Sequence, residues 1–83
     1  MAYQIVCAVY DVKAEAYGRP IFVTAPGLAI RAFLDEVKNP ESQFGKYPGD
    51  FRLFQLGTFD DQTGDFVEQG SKLLLEGSAA AEM

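Results

Sequence analysis

Histidine and tryptophan are missing from this chain, and cysteine occurs once, at Cys7. Without histidine the commonest general base and metal ligand are gone, together with every Cys–His or Ser–His–Asp arrangement. A zinc site needs histidine or several cysteines and is excluded by the same shortage. One cysteine allows no internal disulfide and fits a reducing, cytosolic compartment. Apolar runs are short, none approaching the ~18 residues that cross a bilayer. The N-terminus lacks a basic region followed by a long apolar one, so a soluble protein without a secretory signal is expected.

Positive charge is also scarce. Seven Lys and Arg stand against twelve Asp and Glu, for a net charge of −5. The deficit is uneven: residues 13–52 hold six basic and five acidic side chains, whereas residues 53–83 hold Lys72 against six acids. Tight nonspecific phosphate binding relies on clustered Lys and Arg, so any nucleic-acid contact must use the first half.

What is present suffices for packing. The 83 residues are 48% hydrophobic and 13% aromatic, too apolar for a disordered chain and long enough for one small domain, 1–83. Tyr3 to Tyr10 is rich in β-branched and aromatic residues, apolar on both alternate faces, and predicts a strand that is central or covered by a partner. Asp11 to Gly18 reads as a loop with at most one helical turn. Pro20 opens a short strand, Ile21 to Thr24.

Thr24 is a good N-cap and Pro26 suits a first helical turn, predicting a helix to about Lys38. Ile30, Phe33, Leu34 and Val37 form its core stripe, widened by Ala29 and Ala32. Asn39-Pro40 stops it. Glu41 to Asp50 reads as a loop pinned by Phe44 and Tyr47. Phe51 to Phe59 is the next strand, with Phe51, Leu53 and Phe59 on one face and Phe54 and Leu56 on the other. Gly57 marks a bulge or close backbone approach. Asp60 to Asp65 is turn chemistry with Gly64 at positive φ. Phe66 to Gln69 returns as a strand, Gly70-Ser71 breaks it, and Lys72 to Leu75 forms a last one. Gly77 to Met83 reads as a final helical turn or a frayed tail.

Several constellations invite chemistry. Asp60, Asp61 and Asp65 lack the alternating ligand spacing of a calcium loop and fit a plain hairpin connection. Cys7, mid-strand among apolar neighbours, fits a core residue better than a reactive thiol. Ala25-Pro26-Gly27 lacks a phosphate-loop spacing, leaving Thr24 and Gly27 only as a helix N-terminus that can hold an anion. The most suggestive pattern interleaves cations with aromatics: Lys13, Tyr17, Arg19 and Phe22, then Phe44, Lys46, Tyr47, Phe51 and Arg52. Single-stranded nucleic acid is held by stacking beside cations. The competing reading makes Phe22, Phe44 and Phe51 core and the cations a solvated rim, and the acidic balance favours it.

Two blocks carry a family likeness. One is Val9-Tyr10-Asp11-Val12-Lys13-Ala14-Glu15-Ala16-Tyr17 with Pro20-Ile21-Phe22. The other is Ala29-Ile30-Arg31-Ala32-Phe33, Asn39-Pro40, Phe44, Lys46, Pro48, Asp50, Phe51, Leu53 and Phe54, and Leu56-Gly57-Thr58-Phe59-Asp60-Asp61 with Thr63 and Gly64. Together they resemble the small non-structural protein of gokushovirus-type microviruses, which are single-stranded DNA bacteriophages. The resemblance covers residues 3 to about 67 and weakens in the tail after Glu68. It implies an accessory protein made in the host bacterial cytoplasm and absent from the virion, DNA-binding or acting in the switch to single-strand synthesis. It transfers no catalytic residue.

The expected molecule is thus an α+β domain, a small antiparallel sheet of three or four strands with one main helix packed on one face. A homodimer is expected from its two-faced apolar strands. The expected role is non-enzymatic, in phage genome replication, with no cofactor, metal, small-molecule substrate or membrane. The expected nucleic-acid-binding residues are Lys13, Tyr17, Arg19, Lys46, Tyr47 and Arg52, and the expected partners are single-stranded DNA or phage replication proteins. The alternative is a homo-oligomeric protein-interaction or assembly factor with no nucleic-acid contact.

Overall fold

The computed structural model describes residues 3–83. The chain runs β1 (Tyr3–Asp11), β2 (Ala16–Tyr17), β3 (Ile21–Val23), α1 (Pro26–Val37), α2 (Gln43–Lys46), a 3-10 turn (Pro48–Asp50), β4 (Phe51–Asp60), β5 (Phe66–Glu76) and α3 (Gly77–Ala81). All strand pairs are antiparallel, in the order β2-β1-β4-β5, and β3 extends the β2 edge by pairing with β1. The expectation of three or four strands beside one main helix is therefore corrected. Five strands form the body, and helices are short additions to it.

β1 and β4 are central because both of their faces are apolar, as a strand flanked on each side requires. Cys7 and Leu53, 0% and 1% exposed, anchor the face under α1. Ala29, Phe33 and Val37 of α1 meet them together with Phe51, with Ile30 and Leu34 on the flank. The core stripe of α1 is therefore centred on Ala29 rather than Ile30, since the small side chain lets the helix approach the sheet. Helix α1 starts one residue later than expected: its N-cap is Ala25, with no side-chain cap. Pro26 at its first position sets the start instead.

Residues 41–50 are not a plain loop. Ser42 caps α2 by accepting a hydrogen bond from the Phe44 amide at 3.1 Å. This places Phe44 on the core, its ring 5.7 Å from Phe33 and 4.4 Å from Phe51 between centroids. The tail is helical. Ala80 of α3 is 0% exposed, and the Lys38 ammonium donates to the Met83 main-chain oxygen at 2.7 Å.

Strand β5 is continuous where a break was expected. The irregularity is absorbed by register shifts against β4, with Gly70 at φ +74 in one of them. A second bulge matters more. Val6 opposes Gly57 and Cys7 opposes Gln55, so Leu56 is an extra residue on β4. Strict alternation had grouped Phe59 with Phe51 and Leu53; the extra residue moves it to the opposite face. A Cβ on Gly57 would overlap the Val67 carbonyl, which explains the glycine at this close strand approach.

Candidate interaction face

The face turned away from α1 carries two aromatic clusters. Directly opposed residues in a sheet point the same way. Tyr17 opposes Tyr10, which opposes Arg52, which opposes Glu76. Phe54 lies beside this row, and its ring stands 6.5 Å from Tyr10 and 5.9 Å from Tyr17. The Tyr10 and Tyr17 rings are 4.9 Å apart, edge to face. Nearer the hairpin, Phe59 packs 5.4 Å from Phe22 and 4.7 Å from Phe66.

These clusters show that the sheet is strongly coiled. Strands β2 and β5 lie at opposite edges, so a flat sheet with strands ~4.8 Å apart would separate them by roughly 14 Å. Yet the Tyr17 hydroxyl and Ser71 Oγ are 3.1 Å apart, and Phe22 of β3 reaches within 6.1 Å of Phe66 on β5. The bulges supply the added twist that folds both edges over this face. Ala8, opposite Phe54, is buried beneath them. Part of the second apolar face is thus covered by the chain itself. A cavity of about 280 Å³ remains, lined by Val6, Pro20, Leu56, Gly57, Phe66 and Glu68 among others.

Five of the six sequence-predicted site residues gather at one end of this sheet. Lys13 sits in the turn after β1, its amide bonded to the Asp11 carboxylate at 2.9 Å. The Val12 amide donates to the Asp50 carbonyl at 2.8 Å, tying that turn to the segment that follows Lys46 and Tyr47. Tyr17 and Arg52 complete the group through their row on the sheet. Arg19 is not part of it: it lines a separate cavity of about 250 Å³ beneath α1, with Glu36. The group is not a continuous basic surface, because Asp11, Glu15, Asp50 and Glu76 are interleaved with Lys13, Lys46 and Arg52.

The competing core reading holds for Phe44 and Phe51 and fails for Phe22, which is 43% exposed on the outer cluster. Alternation placed Tyr10 and Phe54 on the second apolar face, but neither was named among the expected site residues. Their alternation with Val9 and Leu53 was the available signal.

Elsewhere the chemistry is quiet. Burial raises the Cys7 thiol above its ordinary pKa, which keeps it protonated and unreactive. In the hairpin turn, Asp60 accepts from the Gln62 amide at 2.9 Å and Thr63 from the Asp65 amide at 3.3 Å. Asp61 instead accepts from the Gln4 side chain at 3.1 Å. Among the described residues there is no group of three or more His, Cys, Asp or Glu that can hold a metal ion. No helix there is long and apolar enough to cross a membrane.

A family pattern described as Phage ORF5 protein matches residues 4–80. The chain belongs to this phage family. No curated protein and no solved structure matches the chain. For a phage ORF5 protein the matched span is informative, since it runs through all five strands and ends on Ala80, which is buried in α3 along with Gly77. The family pattern thus includes the tail, beyond the part of the chain that carried the sequence resemblance.

Proposed function

We propose that this phage protein is a non-enzymatic accessory factor of a single-stranded DNA phage of the gokushovirus type. It acts in viral genome replication, or in the switch to single-strand synthesis, in the host cytoplasm. In this reading it contacts single strands weakly. The observation that carries the proposal is the half-open cluster of Tyr10, Tyr17 and Phe54 beside Arg52. Tyr17, 43% exposed, offers a ring for base stacking, and Lys13, Lys46, Tyr47 and Arg52 lie at the same end. Stacking on one aromatic contributes ~1–3 kcal/mol per base and tolerates any sequence. Few phosphates are neutralised here, so affinity should be low and fall with salt through a shallow slope.

Fluorescence anisotropy with labelled single strands tests this. Binding at low salt should weaken several-fold in Tyr17→Ala and in the Lys46→Ala, Arg52→Ala pair. An unchanged affinity in both, or no binding at low salt, would sink the DNA role. A second reading, a homo-oligomeric protein-interaction or assembly factor, is favoured by β5. This eleven-residue strand forms a sheet edge and exposes Phe66, Val67 and Leu73. An uncovered edge of that length is a ready template for another chain. Sedimentation equilibrium separates the readings: a stable dimer without DNA affinity supports the second.

A further inference from the structure

We infer that the cleft beside the β4–β5 hairpin is a docking site for a basic protein segment carrying one large apolar anchor. The cleft of about 280 Å³ lies among Val6, Pro20, Leu56, Gly57 and Phe66. That volume falls just under the ~300–1,000 Å³ of small-molecule pockets and suits a single buried side chain. Beside it the apolar surface continues into solvent, with Phe66 66% exposed and Phe22, packed against it, 43% exposed. Scattered exposed apolar residues are ordinary, but here they adjoin one another around a cavity.

The charge around this patch selects the occupant. Glu68 lines the cleft, and Asp60, Asp61 and Asp65 occupy the turn that joins its two strands. From Leu53 through Ser71 the sequence contains no Lys or Arg to offset them. A neutral apolar partner would desolvate these carboxylates without pairing them. A phosphate backbone would be repelled, which separates this site from the nucleic-acid end of the sheet. A second copy of this chain is a poor complement too, because its own cations alternate with acids. A Lys- or Arg-rich segment satisfies both halves of the surface: its apolar anchor fills the cleft while its cations meet the rim. A guanidinium over the open Phe66 ring adds a cation–π contact.

The test uses the full chain and a short labelled peptide in which lysines and arginines flank a Leu-Phe pair. Binding should be measurable at low salt and should weaken about tenfold in Phe66→Ser, the exposed anchor wall. The Asp65→Asn, Glu68→Gln pair should weaken it similarly, and added salt should do so further. Both variants change exposed residues, and unchanged circular dichroism verifies the fold. Equal binding by the peptide with its Leu-Phe pair replaced by serines, or with glutamates for its cations, overturns the proposal. So does a dimer of the free protein that Phe66→Ser dissociates, since a second copy would then occupy the cleft. Single-strand affinity should be no weaker in these variants, so this inference and the DNA reading fail independently.

Discussion

One face of the sheet is covered by a separate helical layer, whereas the other is covered in part by the sheet's own edges. The first face buries Cys7, Leu53, Phe51, Phe33 and Ala80 in one continuous cluster. The second is closed by Tyr17, Phe22 and Phe66, which reach over from opposite edges and stay 43%, 43% and 66% exposed. A helical layer removes water from whatever it covers. A curled edge does so only partly, and leaves aromatic rings that fold the molecule on one side and face solvent on the other. The difference puts the fully buried core on the first face and leaves the exposed aromatic surface, on which both proposals rest, on the second.

Neighbouring residues of β4 point to opposite faces, so they offer the most direct way to break that comparison. Leu53→Ala removes a fully buried side chain and should cost about 2–5 kcal/mol. Phe54→Ala should cost roughly half of that despite deleting more atoms, because its ring is only partly buried. Urea unfolding of both variants measures the pair. Equal losses would make the outer face a second core and remove the basis for treating it as an interaction surface.

The inner face was legible in the sequence because its signals are local. The Phe33 and Val37 stripe, the apolar runs of β1 and β4 and the Pro26 start each follow from nearby spacing. The outer face depends on what spacing cannot show. One extra residue at Leu56 reverses the direction of Phe59; Gly57 signalled a bulge or a close approach there, but spacing alone kept Phe59 on the face of Phe51 and Leu53. The closure between Tyr17 and Ser71 joins residues 54 positions apart, a product of sheet coiling. The cations of the expected nucleic-acid site were read in the less acidic half. Asp11 and Asp50 stand two residues from Lys13 and Arg52 in the sequence, whereas Glu76 came beside Arg52 only once the strands were in register. Arg19 fell away because the irregular stretch Gly18–Pro20, which links β2 to β3 along one edge of β1, sets it against the cavity beneath α1.

The tail sharpens the inner face. Residues 77–83 were open to reading as frayed, yet Ala80 belongs to the buried cluster and its neighbours cannot yield freely. Ala80→Leu should therefore overpack the site and cost about 1–3 kcal/mol. Helix propensity alone would leave the substitution nearly neutral, since Leu is almost as good a helix former as Ala. A neutral result by thermal unfolding would mean that α3 is not docked in solution.

The smallest expected effect probes how the outer face is held shut. Tyr17 and Ser71 are both exposed, so their hydrogen bond contributes little, about 0.5 kcal/mol against competition from water. Tyr17→Phe keeps the ring contacts with Tyr10 and Phe54 and removes only the hydroxyl. Ser71→Ala removes the other partner, and the double variant should lose no more than the larger single one. That non-additivity is close to the measuring limit of equilibrium unfolding. Hydrogen exchange gives the sharper readout, because opening of the edges should speed exchange locally in the bulged stretch of β5 around Gly70. Faster exchange there in each single variant, with the β1–β4 amides unchanged, would show the two edges to be latched independently of the core. Faster exchange throughout the sheet would instead join the two faces into one cooperative unit.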